Sequence, residues 1–436
     1  MLFIMKIVFV QPKSCLFAEG HLWEPVSFGY LISYARQFHP ANQYVVRSAK
    51  FFNDAEILSE CEDADLVGFT ATSPQIYHAG DLSQKIKVPK IFGGAHPTID
   101  PDDAFRRGAD IVVKGEGEVA FKKILDNPKQ ALQQRVFQEP LIKNLDSLPF
   151  PDRQAIQQQR YFELTLQNDG VKIASINSSR GCPYDCTFCT SKALWGRKVR
   201  FRSAGNIVSE LEELVDLGLE HLKFSDDTFT SKKERVYEFC KIKTERGLEN
   251  VPWSCNARVN TVDYHVLKAM KEAGCAELWF GVESGSQKIL QRIGRNTTLE
   301  QIETAFKLCQ KNGIQTACSF MLGMPDETLK DMEASLKFAK KLNPDWCLFN
   351  IFIANPDSKL YQEVLESKNY VRLDEFLLSV KTEEFDYNSL MAIQKRFFKE
   401  FHRSPKQILK RIRREGVVNF AKRRLNPSAQ KNTGIA

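Results

Sequence analysis

The sequence lacks any apolar run long enough to cross a membrane as a helix. Such a helix needs about 20 predominantly apolar residues, and no stretch of this chain reaches about 18. Low-complexity segments and short sequence repeats are also absent. Of the 436 residues, 43% are hydrophobic and 26% are charged, which is typical of a globular protein able to build sizeable cores. At this length we expect two or three domains.

The first residues also lack a secretory leader. MLFIMKIVFVQP has neither a basic start nor a small-residue cleavage site, so it predicts a β-strand. We therefore expect a cytoplasmic protein. There the eleven cysteines would stay mostly reduced, and each would bind metal or pack in a core. Eight of them lie in apolar patterns typical of core cysteines, at positions 15, 61, 240, 255, 275, 309, 318 and 347.

The body of the chain has no excess of basic over acidic residues, although the net charge is +7. Between Lys395 and Leu425 there are twelve Lys or Arg and two Glu, so this tail carries +10 and the remainder −3. Ile408, Leu409 and Ile412 would share one side of a helix there, which predicts peripheral contact with an anionic membrane. Packing of that side on the protein is the alternative. Nucleic acid is not expected, because the acidic body has no recognised nucleic-acid module.

Strand and helix patterns alternate through the first part of the chain. The five strand patterns are KIVFVQP, YVVRSA, DLVGFTATS, KIFGGAH and DIVVKGEGE. They predict an α/β domain over residues 1–143, with a doubly wound, flavodoxin-like (Rossmann-like) parallel sheet. Ligands of such sheets bind beyond the carboxyl ends of the strands, and several ends here carry polar or glycine-rich loops. The alternative is that these glycines only make turns.

A linker and a second alternating series follow. NLDSLPFPDR, with two prolines, predicts a linker within residues 144–170. Six further strand patterns separated by helical segments predict a partial (β/α)6 barrel over residues 171–375, with chemistry at the strand C-termini. Residues 376–436 are predicted to form a basic helical region.

Three cysteines lie close together in RGCPYDCTFCT, in the loop after the first barrel strand. Cys182, Cys186 and Cys189 have the spacing C-x3-C-x2-C, and no fourth cysteine follows at short range. Structural zinc sites prefer C-x2-C pairs and four protein ligands, so zinc fits poorly. A [4Fe–4S] cluster held by three cysteines would leave one iron open to another ligand. The alternative is a chance cluster of core cysteines.

Further motifs follow at successive strand ends of the predicted barrel. They are FSDDTFT at 224–230, Asn256 with Arg258, GVESGS at 281–286 and FMLGMPDET at 320–328. In this order, after the three cysteines, they resemble the motifs of radical SAM enzymes. The resemblance implies that S-adenosylmethionine (SAM) binds the open iron and is cleaved reductively to a 5′-deoxyadenosyl radical. It also implies SAM contacts from Phe188, Asp226, Asp227, Asn256, Arg258, Glu283, Ser284 and Gly323.

One stretch departs from that family. Relatives commonly have Pro-Gly-Thr after the sixth barrel strand, where this chain has Asn355-Pro356-Asp357-Ser358. That loop lies toward the substrate side, so substrate assignments made for relatives transfer less well to this chain.

The N-terminal segment resembles the cobalamin-binding domain of one large radical SAM branch. The shared motifs are P-x-x-x-G-Y-L at 25–31, FTATSP, FGGAHPT and VVKGEGE. No histidine fits the D-x-H-x-x-G ligand motif, and His96 suits a loop hydrogen bond at least as well as cobalt ligation. The resemblance implies base-off cobalamin without a histidine ligand. We place its contacts at Gln11, Thr70, Thr72, Ser73, Gly93, Gly94, His96, Gly115 and Glu116.

The resemblance implies a cobalamin-dependent radical SAM enzyme of the class B methyltransferase type. It would methylate an unactivated carbon of a small-molecule, lipid or peptide substrate, with the methyl group taken from methylcobalamin. An external electron donor of the flavodoxin or ferredoxin type would supply reducing equivalents. One alternative is a non-methylating cyclisation or rearrangement in the same branch. Another is an iron–sulfur sensor without turnover.

Overall fold

The structure is a computed structural model of the chain, and it describes residues 4–14 and 23–415. Within these residues the chain forms two compact units. The first contains the residues up to Ser175 together with Asp216–Leu219, and the second contains Ile176–Val215 together with the chain from Glu220. Among the described helices, none is both long and apolar enough for a membrane crossing.

The first unit is built on a six-stranded parallel sheet. The strand order is β2-β1-β3-β4-β5-β6. The strands are β1 Lys6–Gln11, β2 Gln43–Ser48, β3 Leu66–Thr70, β4 Lys90–Gly93, β5 Ile111–Lys114 and β6 Val136–Gln138. The doubly wound fold and its first five strands are confirmed. The short strand β6 was not predicted.

Helices of the first unit connect these strands. They are α1 Val26–Arg36, α2 Asp54–Cys61, α3 Ile76–Ser83, α4 Ala95–Ile99, α5 Pro101–Arg106, α6 Glu118–Asp126, α7 Pro128–Gln134 and α8 Gln158–Asp169. Aromatic packing joins sheet and helices, because the ring of Phe9 lies 4.8 Å from Phe28 of α1 and 5.3 Å from Phe121 of α6. Segment 144–170, expected to be a linker, contains the short 3₁₀ turn Leu145–Ser147 and helix α8. The domain boundaries at 143, 170 and 375 stay predictions.

The second sheet has six strands in consecutive order, as the barrel prediction requires. Its strands are β7 Ile173–Ile176, β10 His221–Phe224, β11 Trp253–Ala257, β12 Cys275–Glu283, β13 Gln315–Leu322 and β14 Trp346–Ile351. The pairings from β10 to β14 are parallel. In the part of the chain that the structure describes, β7 and β14 do not pair with each other, so the barrel is open.

In the described part of the second unit, two small strand pairs and ten α-helices accompany the sheet. The pairs are β8 Ser179–Arg180 with β9 Arg200–Phe201, and β15 Tyr370–Arg372 with β16 Leu378–Val380. The helices are α9 Ser191–Trp195, α10 Ala204–Asp216, α11 Lys233–Glu245, α12 Tyr264–Glu272, α13 Gln287–Arg292, α14 Leu299–Lys311, α15 Leu329–Leu342, α16 Lys359–Ser367, α17 Tyr387–His402 and α18 Pro405–Glu415. Four fully buried aromatic rings, those of Phe224, Phe229, Phe239 and Trp253, pack together with centroids 4.3 to 5.7 Å apart.

Helix α17 packs along the last strand of the barrel. Gln394 Nε2 donates to the carbonyl oxygen of Phe349 at 2.7 Å, and His402 Nε2 donates to that of Cys347 at 2.8 Å. Both carbonyls belong to β14, and the side chains of Phe397 and Phe401 are buried beside it. These contacts attach α17 to the barrel.

Helix α18 lies over the connection between α15 and β14. Gln407 Nε2 donates to Asn343 Oδ1 at 3.0 Å, and Lys410 Nζ lies 3.2 Å from Asp345 Oδ1. The Arg411 guanidinium lies 5.5 Å from the centre of the Trp346 ring. Leu409, one of the apolar residues expected to meet lipid, is 56% exposed. Residues 416–425 of the predicted membrane-contacting tail lie outside the described residues.

Candidate active site

The three motif cysteines lie in the loop between β8 and β9. These two-residue strands pair antiparallel, with Ser179 opposite Phe201 and Arg180 opposite Arg200, and so close the base of the loop. At its start Gly181 has φ +103, and a Cβ there would lie 2.9 Å from the carbonyl oxygen of Lys198. Glycine is therefore required for the close approach of the two loop ends.

The three thiols differ in their exposure. Cys182 and Cys186 are half-buried and Cys189 is exposed. Among the described residues, no group of three His, Cys, Asp or Glu side chains could hold a single metal ion. A tetrahedral zinc site needs such convergence, whereas a [4Fe–4S] cluster takes each cysteine on a different iron. The C-x3-C-x2-C spacing suits a cluster better than zinc, and the cluster ligands stay a prediction.

Two arginines face the sulfur of Cys186. Arg258 Nη1 lies 3.5 Å from Cys186 Sγ, and Arg295 Nη1 lies 3.7 Å from the same atom. The Arg258 guanidinium also stacks on the ring of Tyr184 in the cysteine loop, 3.8 Å from its centre. The predicted SAM residue Arg258 therefore contacts the cysteine loop directly.

Glu283 pairs with the second of these arginines. Its Oε1 accepts from Arg295 Nη2 at 2.9 Å, and the same guanidinium donates to the carbonyl oxygen of Gly281. Burial raises the pKa of Glu283, although Arg295 and Arg258 act in the opposite direction. For Arg295, burial lowers the pKa, but Glu283 and Cys186 raise it by more, so the net shift of its pKa is upward. A buried carboxylate and a guanidinium thus lie beside the cysteine loop.

The two predicted aspartates of FSDDTFT differ in their surroundings. Asp226 is buried, and its carboxylate accepts from Ser178 N at 2.7 Å, Ser178 Oγ at 2.5 Å and Ser179 Oγ at 2.6 Å. Arg235 Nη2 lies 3.7 Å away. Asp227 is exposed, and its Oδ2 accepts from Ser191 Oγ at 2.6 Å. Asp226 therefore anchors the strand that enters the cysteine loop, and Asp227 is the more accessible of the two.

The remaining predicted SAM residues divide between loop and scaffold. Phe188 is half-buried in the cysteine loop. Asn256 Nδ2 donates to the carbonyl oxygen of Asp226 at 3.0 Å and so ties β11 to that loop end. Ser284 is fully buried, and its Oγ lies 3.4 Å from Ser335 Oγ of α15. Its side chain therefore faces the scaffold.

Gly323 begins the turn after β13 with φ +82, and a Cβ there would lie 2.5 Å from Leu390 Cδ1. Its N–H and that of Met324 both donate to Glu327 Oε2, at 2.7 and 3.0 Å. The other oxygen, Oε1, is buried and has no hydrogen-bond partner among the described residues. Burial raises the pKa of Glu327 to about 7.

The departure at 355–358 lies just before α16. Ser358 is the N-cap of that helix, and its Oγ accepts from Tyr361 N at 3.1 Å. Asp357 precedes it with φ +63. The altered loop is therefore held by a helix cap.

The first unit places the predicted cobalamin residues at the carboxyl edge of its sheet. Thr70 and Gly93 are register partners at the ends of β3 and β4, and Thr72 is exposed in the loop after β3. Gly94 has φ +97, and a Cβ there would lie 2.8 Å from Thr70 Oγ1. Gly115 has φ +77, and a Cβ there would have no heavy atom within 4 Å apart from those of its two chain neighbours. The parallel strands thus bring these three loops to one edge.

Other predicted cobalamin residues are engaged within the unit. Gln11 Oε1 accepts from Ser48 Oγ at 2.7 Å and Tyr161 Oη at 3.2 Å, and its Nε2 donates to the carbonyl oxygen of Trp23. Glu116 is buried, and its Oε2 accepts from Ile142 N at 2.6 Å. Both side chains therefore contribute to the support of the edge.

His96 is fixed at both ring nitrogens. Its Nδ1 lies 3.1 Å from Ser73 Oγ, and its Nε2 lies 3.0 Å from Asp103 Oδ2. His96 and Asp103 are each 1% exposed, and Asp103 also accepts from Arg107 Nε at 2.8 Å. Cobalt ligation would break one of these bonds, so the geometry favours the loop hydrogen bond for His96.

Motif reasoning missed Arg295 and Tyr184, and it did not single out Glu327 within FMLGMPDET. Arg295 follows the GVESGS motif by several residues, in the connection between α13 and α14. That connection contacts the cysteine loop, because Thr187 N donates to the carbonyl oxygen of Ile293 at 3.1 Å. Tyr184 lies inside the C-x3-C spacer, where its aromatic ring was the available signal.

Two family models match the chain. The model of the radical SAM superfamily matches residues 176–339, and the model of the B12 binding domain matches residues 30–125. An uncharacterized methyltransferase of Pyrococcus horikoshii is 31% identical over 94% of this chain and 95% of its own length. An anaerobic magnesium-protoporphyrin IX monomethyl ester cyclase of Rubrivivax gelatinosus is 28% identical, over 83% of this chain and 70% of its own length.

A solved structure has the same fold. It is the cobalamin-dependent S-adenosylmethionine radical enzyme OxsB with aqua-cobalamin and S-adenosylmethionine bound. It superposes with a TM-score of 0.75 over 99% of this chain and 71% of that one, at 16% identity. Together with the full-length match to the Pyrococcus protein, these likenesses settle the family. The chain belongs to the radical SAM superfamily, in the group that joins a B12-binding domain to the radical SAM domain.

Proposed function

We propose that this protein is a cobalamin-dependent radical SAM enzyme that methylates an unactivated carbon of a small-molecule substrate. The observation that carries the proposal is the grouping of Cys186, Arg258, Arg295 and Glu283 beside the ends of β11 and β12. The full-length likeness to a methyltransferase and the presence of both domains support the reaction class.

The donor set fits the proposed cofactors of the second unit. Three thiolates with two guanidiniums beside one of them suit an anionic [4Fe–4S] cluster. The methionine part of SAM carries an ammonium and a carboxylate, which Glu283 and Arg295 complement in charge. When bound, the cluster supplies the electron that cleaves SAM, and cobalamin carries the methyl group.

The chain's own task is mainly positioning. Asp226 and Asn256 hold the entrance of the cysteine loop, and the stack of Arg258 on Tyr184 holds its centre. Fixed geometry of this kind lowers the barrier, because reacting groups are already oriented when they meet.

For the first unit we propose base-off cobalamin at the loops after β3, β4 and β5. The placement is supported by the exposed Thr72 and by the open space at Gly115. The absence of a histidine ligand is supported by His96, whose two ring nitrogens both have hydrogen-bond partners within the unit. A cavity of about 520 Å³ also lies at the ends of β1 and β2, lined by Lys13, Ala49–Asp54 and Glu56.

Anaerobic reconstitution tests the proposal. We expect about four irons per wild-type chain, binding of hydroxocobalamin with a base-off spectrum, reductive SAM cleavage, and a product heavier by about 14 mass units per methyl. Cys186→Ala should lose the intact cluster and SAM cleavage. Cys61→Ala, a core cysteine of the first unit, is the matched control and should keep both. Zinc in the native protein, or a histidine-ligated cobalt spectrum, would contradict the proposal.

A non-methylating reaction is the second candidate, and the likeness to a cyclase favours it over others. An unchanged number of methyl groups in the product would identify it. Cleavage of SAM by the reduced protein would exclude a sensor without turnover.

An external one-electron donor is part of the proposal. The exposed Asp185 of the cysteine loop has three exposed cations within 3.4 Å: Lys192, Arg197 and Lys359. These three exposed cations suit an acidic carrier of the flavodoxin or ferredoxin type. Contact of the tail with anionic membranes has no comparable support, because Gln407 and Lys410 of α18 are engaged with the barrel. Co-sedimentation with anionic liposomes tests it.

A further inference from the structure

We propose that Arg258 and Arg295 set the reduction potential of the cluster by directing positive charge and N–H groups at Cys186 Sγ. The inference rests on the proposed function, because it assumes the cluster on the three cysteines. It assigns Arg258 and Arg295 the role of positioning residues that act through a ligand of the cluster.

The two guanidiniums reach one sulfur from separate elements. Arg258 follows β11 and lies 3.5 Å from Cys186 Sγ, whereas Arg295 comes from the α13–α14 connection and lies 3.7 Å from it. Both distances are within the range of an N–H···S hydrogen bond. Hydrogen bonds to cluster sulfurs and local charge are among the factors that set cluster potentials.

Both side chains are held in place without a ligand. Arg258 is 6% exposed, and it stacks on Tyr184 while its Nε donates to Asn260 Oδ1 at 3.4 Å. Arg295 is fixed by Glu283 and by the carbonyl oxygen of Gly281. Charges in such a partly buried site are screened less than charges in water.

The other two cysteines receive neutral groups. Cys182 Sγ lies 3.8 Å from Thr228 Oγ1, and Cys189 Sγ accepts from Ser191 N at 3.4 Å. The positive charge is therefore concentrated at the Cys186 corner. A reduced cluster carries one more negative charge than an oxidised one, so this corner stabilises the reduced form and raises the potential.

The experiment is a potentiometric titration of the reconstituted protein followed by electron paramagnetic resonance, without SAM. We expect Arg258→Gln and Arg295→Gln each to lower the reduction equilibrium constant about tenfold, which is a shift of about 59 mV to more negative potential for one electron. Iron and sulfide content confirm that each variant holds a whole cluster. Arg197→Gln is the matched control, since its exposed guanidinium lies 3.3 Å from Asp185 of the same loop and should leave the potential unchanged.

Removal of the neighbouring negative charge should act in the opposite direction. Glu283→Gln leaves the charge of Arg295 uncompensated, so the reduction potential of the cluster in this variant should become less negative. If the arginine variants assemble no cluster, the potential of Glu283→Gln tests the inference in their place. Glutamine variants with full iron content and the wild-type potential would overturn the inference, as would an equal shift in Arg197→Gln. A wild-type chain that binds no cluster would instead contradict the proposed function itself.

Discussion

Glu327 should make the barrel less stable as pH rises through the neutral range. Its side chain is 3% exposed, with Oε2 on two backbone N–H groups and Oε1 buried without a hydrogen-bond partner among the described residues. Burial therefore favours the protonated acid and raises the pKa from 4.5 to about 7. Replacement by Gln keeps the shape and an acceptor for Gly323 and Met324, but removes the titration.

The sign and size follow from proton linkage. Between pH 4.5 and about 7 the folded chain holds a proton on Glu327 that the unfolded chain has lost, so stability falls as pH rises. Each pH unit in this window lowers the free energy of unfolding by up to about 1.4 kcal/mol, so the whole window lowers it by about 3 kcal/mol. Below pH 4.5 and above pH 7, Glu327 no longer makes the free energy of unfolding depend on pH.

Calorimetric melting at pH 5 and pH 8 measures the effect. At roughly 2 to 4 °C per kcal/mol for a unit of this size, the Tm of the wild type should fall about 6 to 12 °C more than that of Glu327→Gln. Glu366→Gln, an exposed glutamate of α16, is the matched control and should follow the wild type. Equal pH dependence in wild type and Glu327→Gln would refute the reasoning.

Two further substitutions test the scaffold of the site. Lys243 is fully buried and donates to the carbonyl oxygens of Leu248, Val251 and Ala273. Lys243→Met leaves these acceptors unpaired and should destabilise the barrel by about 3 kcal/mol or more. The drop in Tm measures this loss, with Lys243→Arg as the comparison. Asp226→Asn leaves Arg235 without its buried carboxylate and should cost about 3 to 5 kcal/mol, with reduced iron uptake. A normal iron content in Asp226→Asn would show that Asp226 does not anchor the cysteine loop.

The sequence predicted the strands that have long apolar patterns. β1 is buried along nearly its whole length, and such runs are recognised without knowledge of their neighbours. Strand β6 escaped because it has three residues and only Phe137 is buried. Helix α8 escaped because the prolines before it indicated a linker, and two of its four buried residues, Gln158 and Thr165, are polar. The apolar pattern of either element is therefore too weak to recognise without its neighbours.

The three cysteines could be located from their spacing alone, and their role as cluster ligands stays a prediction. The role of a side chain was less predictable where it depends on the direction in which the side chain points. Asp226 and Asp227 are adjacent, and sequence alone does not show that one is buried under Ser178 while the other is exposed. Arg295 could not be located from a strand-end motif, because it reaches Cys186 from a connection between helices.

The contact between α17 and β14 affects how the barrel avoids aggregation. An open barrel has an edge strand whose outward carbonyl and N–H groups can pair with a strand of another molecule. Here Gln394 and His402 occupy the outward carbonyl oxygens of Phe349 and Cys347, so the helix blocks strand addition at this edge. A chain cut at Ser389 would expose that edge and should self-associate. For expression, the C-terminal boundary therefore belongs after α17.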